Sequence, residues 1–97
     1  MAVLSFPGGP VDRLDLHIAL AKADRRRRFW VREVPYKGRG VWKGQIWFDG
    51  FTHRTLVSDE FGEMMTFRLQ CEAEIRELER DGWARIAVKP PRRIPTP

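Results

Sequence analysis

Residues 41–57 read VWKGQIWFDGFTHRTLV, and this stretch decides the fold. Two runs rich in aromatic and β-branched residues, Val41 to Phe48 and Phe51 to Val57, flank a two-residue Asp49-Gly50. That dipeptide supplies the positive φ angles a type I′ turn needs at both central positions, so the stretch predicts a β-hairpin. A regular ladder then sets Trp47 opposite Thr52, Ile46 opposite His53 and Gln45 opposite Arg54. Side chains facing one another share a side of the sheet. One side, apolar, carries Trp42, Gly44, Ile46 and Phe48 with Phe51, His53, Thr55 and Val57. The other carries Lys43, Gln45 and Trp47 with Thr52, Arg54 and Leu56.

Upstream, Phe29 to Val34 is a third aromatic and β-branched run, ended by Pro35 and a turn with two glycines, Gly38 and Gly40. A six-residue loop pairs Val34 with Val41. It puts Phe29 and Val31 on the apolar side and Arg28, Trp30 and Arg32 on the other. A five-residue loop reverses the strand and turns Trp30 inward. Further upstream, Leu14, Leu16, Ile18 and Leu20 alternate with Asp15, His17 and Ala19. The alternation fills every apolar slot, so the segment is assigned as a strand, although its early acids and late bases also suit a helix. Arg25 to Arg28, helped by Lys22, is expected as a basic loop beside the sheet.

Downstream the period changes. Met64, Phe67, Cys71, Ile75 and Leu78 recur at intervals of three and four, which predicts a helix over 63–81. Asp59, Glu60 and Glu63 fit its positive N-terminal end, Glu72 and Arg76 fit an i,i+4 pair, and Gly82 fits the C′ position. Trp83 to Val88 forms a last short strand. The fold class is α+β: an antiparallel three- to four-stranded sheet packed on one long C-terminal helix.

The chain has 97 residues, enough for one small core. Residues 1–10, with Pro7-Gly8-Gly9-Pro10, are expected as a flexible N-terminal arm, 11–88 as the domain, and 89–97, with four prolines, as a disordered basic tail. Residues 1–9 lack a basic flank and a sufficient apolar run, so no signal peptide is expected. No apolar run reaches the ~20 residues of a membrane span, which predicts no membrane partner. The single cysteine forms no internal disulfide and no zinc set, so a reducing cytoplasm is the expected location.

The net charge of +5 is segregated. Residues 1–58 carry eleven Lys and Arg against five Asp and Glu, residues 59–82 three against eight, and residues 83–97 four against none. One region therefore attracts polyanions and another repels them, unless the two neutralise each other within the fold.

Catalytic and metal chemistry find little support. His17 and His53 have no metal-ligand spacing with the acids, and His53 is read as a hydrogen-bonded residue of the apolar side. Ser5 and Ser58 lie in no nucleophile elbow, Gly38 and Gly40 form no dinucleotide loop, and Cys71 is read as an inert small hydrophobe. No enzyme activity, cofactor or metal is expected. A flat sheet bearing Trp among Lys and Arg does suit nucleic acid, because cations meet phosphates and rings stack on bases. The candidate residues are Arg28, Trp30, Arg32, Lys43, Gln45, Trp47 and Arg54, with Arg92 and Arg93 adding non-specific contacts. The expected partner is DNA or RNA. The rival partners for the same face are an acidic protein or a second copy of the chain.

Three strands followed by a helix, with Tyr36-Lys37-Gly38, Trp42-Lys43-Gly44-Gln45-Ile46 and Ala73 on the helix, resemble the general pattern of AP2-like and integrase arm-type DNA-binding domains. The likeness covers roughly residues 29–80. It implies that the sheet, not the helix, enters the major groove.

Overall fold

The computed structural model describes residues 13–37 and 39–90. The N-terminal arm, Arg92 and Arg93, and nearly all of the C-terminal tail lie outside them. Four long strands, β1 (Arg13–Lys22), β2 (Arg25–Tyr36), β3 (Arg39–Phe48) and β4 (Phe51–Ser58), precede helix α1 (Phe61–Arg80) and a short β5 (Ala84–Ile86). They form one antiparallel sheet in the order β4-β3-β2-β1-β5, packed against the single helix. Segment 13–20 is a strand, as its alternation indicates, and the sheet gains a fifth member because β5 pairs with β1 through Ala19 and Ile86.

The Asp49-Gly50 turn has φ of 50° and 86°, the positive pair that type I′ demands. The ladder that leaves it is not regular. Phe48 faces Phe51 and Trp47 faces Thr52, but Ile46 faces Arg54, so His53 is the extra residue of a β-bulge. Beyond it every β4 side chain is on the opposite side from the one the regular ladder gives. Leu56 and Arg54 turn to the helix, while Thr55 and Val57 turn away. His53 is exposed and stacks on Phe48, with ring centroids 4.2 Å apart.

Of the two registers the sequence leaves open, the structure has the one with Val34 opposite Val41, but no six-residue loop: pairing continues through Pro35 opposite Gly40 to Tyr36 opposite Arg39. Arg25 to Arg28 is strand and not loop. The β1–β2 hairpin closes tightly, Lys22 facing Arg25, so the four arginines alternate across the sheet. Arg27 lies on the helix side, its guanidinium 3.8 Å from the Phe48 ring centroid and 5.1 Å from that of Trp83. Aromatic faces thus take up a cation that charge alone assigns to a solvated turn.

The core lies between sheet and helix: Leu20, Phe29, Val31, Trp42 and Ile46 against Met64, Phe67, Cys71, Ile75 and Trp83. Gly44 lets the helix approach, since a Cβ there would sit 2.6 Å from Phe67 Cε2. At the N-terminus of α1, Ser58 Oγ accepts from Glu60 N–H and donates to Glu63 Oε2. At the C-terminus, Trp83 N–H donates to Leu78 O and Gly82 N–H to Glu79 O, with Gly82 at φ 97°. This is a Schellman cap, and it carries Trp83 back onto the core. Glu72 pairs with Arg68, not Arg76; Arg68 also reaches Asp15 of β1 at 2.7 Å, tying helix to sheet.

Candidate functional site

The side of the sheet away from the helix is built by alternation along β2 and β3, and along β1 after a bulge at Asp15. Its outward positions on β2 are Arg26, Arg28, Trp30, Arg32 and Val34. On β3 they are Val41, Lys43, Gln45 and Trp47, and on β1 they include His17 and Ala19. Six of the seven candidate residues therefore share this face. Arg54 does not: the His53 bulge puts it on the helix side, where its guanidinium lies 5.1 Å from the Phe67 ring centroid and donates to Gln70 Oε1 at 2.7 Å.

The strands give this face only cations, and Asp49 of the β3–β4 turn stands at its edge. The five strands contain two acids, Asp15 and Glu33, and both turn toward the helix side, Asp15 onto Arg68 and Glu33 onto Arg13. Arg26, Arg28, Arg32 and Lys43 project from the other side. Arg32 and Lys43 are direct cross-strand neighbours.

The two tryptophans differ. Trp30, flanked by His17 and Gln45 across the strands, is only 4% exposed and presents no open ring. Its Nε1 has no hydrogen-bond partner among the described residues. Trp47 is half-buried. Its Nε1 donates to Gln45 Oε1 at 2.7 Å, and Gln45 Nε2 donates to Thr55 Oγ1, so the indole is held in one orientation.

Arg28 is the centre of the face. Its guanidinium lies 5.6 Å from the Trp47 ring centroid. Its Nε donates to His17 Nε2 at 3.1 Å, and its Nη2 donates to the carbonyl of Lys89, which holds the segment after β5 beside the sheet. Burial, then Arg28 and Arg32, lower the His17 pKa from its ordinary value, which keeps Nε2 an acceptor at neutral pH.

Next to Arg28 is a pocket of about 430 Å³ lined by Ala19, Arg28, Trp47, Asp49, Ile86 and Val88 among others. Sequence reasoning missed it. Asp49 reads there only as a turn residue, and Ala19 only as a small residue in an alternating strand; the signal is an outward-facing Ala between rows of larger side chains. On the other side of the sheet, burial raises the Cys71 thiol to about 12, with Glu74 adding to the effect, so it stays protonated. No helix of the described residues is long and apolar enough to cross a membrane.

No protein-family model, curated protein or solved structure matches this chain.

Proposed function

We propose that this chain is a non-enzymatic nucleic-acid-binding module that holds a single strand across the outward face of its sheet. One observation carries the reading: the acids of the strands turn to the helix side, and Arg26, Arg28, Arg32 and Lys43 share the opposite side. Such a face concentrates a polyanion and releases its counterions. In this reading Arg28, Arg32 and Lys43 meet phosphates and Trp47 stacks on a base. Gln45 holds Trp47, Trp30 is buried and is not itself a platform, and Arg54 has no part. Neither a cofactor nor a metal takes part, and the lone buried thiol suits the reducing cytoplasm. Fluorescence anisotropy with labelled single- and double-stranded oligonucleotides tests it. Salt-sensitive binding that favours single strands supports the reading, and no binding at low salt contradicts it.

The rival, a second copy of the chain, draws support from a different place. Strand β4 is a sheet edge, and Phe51 and Val57 on it are 78% and 56% exposed. Two such edges can pair antiparallel. Sedimentation velocity over a concentration series separates this reading from the first.

A further inference from the structure

We propose that the pocket beside Trp47 is a nucleobase subsite that prefers guanine. The inference rests on the single-strand reading and adds which part of the strand the protein holds. The pocket exists because of Ala19, which faces Arg28 on one side and Ile86 on the other. A methyl between two longer side chains leaves a depression, and Val88 and Trp47 complete its walls. Its volume of about 430 Å³ lies within the range of small-molecule sites. Apolar walls beside an indole and a guanidinium suit a flat heterocycle, since both groups stack on a π face.

Asp49 sets the preference. Its Oδ1 accepts from Arg26 N–H at 2.9 Å, and its Oδ2 lies 3.4 Å from Arg25 Nη2. The backbone hydrogen bond, with help from Arg25, holds its carboxyl below the usual carboxylate range. At neutral pH it is an acceptor only, and each oxygen keeps a lone pair for a ligand. Guanine presents two adjacent donors, N1–H and the N2 amino group, which match a carboxylate. Uracil and thymine present one N–H between two carbonyls, which a carboxylate repels.

The test uses GMP and UMP as probes, read by amide and indole N–H shifts, with two variants. Asp49→Asn keeps the turn, because Asn-Gly suits type I′ as well as Asp-Gly does. Ala19→Leu fills the pocket and leaves every charge in place. The expected result is GMP shifts at Ala19, Trp47, Ile86 and Val88, with affinity about tenfold above that of UMP. Asp49→Asn then brings the two within about twofold, and Ala19→Leu removes both while weakening a guanine-containing strand about tenfold. Equal affinities for GMP and UMP, or unchanged strand binding by Ala19→Leu, overturn the proposal. An abasic strand of the same length separates the two readings. If it binds and GMP leaves the pocket unshifted, the pocket fails and the cationic face stands. If no strand binds but GMP shifts the pocket, the subsite stands and the single-strand reading fails.

Discussion

The Arg28 guanidinium lies 5.6 Å from the centroid of the Trp47 ring, across the β2–β3 pair. The two residues are direct cross-strand partners, so the sheet register itself sets a cation beside an aromatic ring. Gln45 fixes the ring from one side, and His17 and the Lys89 carbonyl fix the guanidinium from the other.

That arrangement separates two substitutions which composition alone treats alike. Trp47→Ala removes the stacking surface and weakens single-strand binding by about 1–3 kcal/mol. Arg54→Ala, on the helix side, changes binding by no more than about 0.5 kcal/mol, although it removes a cation. Anisotropy titrations of both variants check this, and a large loss with Arg54→Ala contradicts the assigned face.

Stability depends on pH through His17. Its folded pKa lies below the ordinary 6.5 of the unfolded chain. At a pH above 6.5 both states are neutral there, and the His17 contribution is complete. As pH falls below 6.5 the unfolded chain takes up the proton first, so the folded state loses stability until its own lowered pKa is passed. Urea midpoints measured across this window fall with pH, and His17→Gln flattens that part of the curve. An equal slope in the variant assigns the effect to other groups.

At Gly44 the helix packs directly against the sheet through Phe67. Gly44→Ala drives a methyl into the Phe67 ring and destabilises the fold by about 1–3 kcal/mol, measured by urea denaturation. A neutral result means the helix can lift away from β3 at little cost.

Cys71 reports on the core. Buried and with its pKa raised to about 12, it reacts with a thiol reagent at neutral pH only when the helix opens. Labelling therefore accelerates in urea in step with unfolding, and rapid labelling in buffer alone contradicts the packing of α1.

What could be read from the residues was local. Asp49-Gly50 specifies its own turn, the 63–81 stripe specifies a helix, and the extent of two apolar runs narrows the β2–β3 register to two choices, of which Val34 opposite Val41 is one. The β-bulge at His53 was not readable, because nothing in Thr52-His53-Arg54 distinguishes a regular ladder from one with an extra residue. That single residue moved Arg54 off the candidate face. Arg25 to Arg28 misled for another reason: four cations look like a solvated turn until Phe48 and Trp83, distant in sequence, supply aromatic faces for Arg27. The burial of Trp30 depends on neighbours from two other strands, His17 and Gln45. The pocket depends on strands β1 and β5 meeting at Ala19 and Ile86, a pairing that no local pattern announces.

The central claim is that Arg28, Arg32 and Lys43 neutralise phosphates of a bound single strand. Affinity for a labelled single-stranded oligonucleotide, plotted as log K against log salt, tests it most directly. Three phosphate contacts give a slope of about −2, and Lys43→Gln reduces its magnitude by about 0.7. A slope near zero, or one unchanged in Lys43→Gln, contradicts the account.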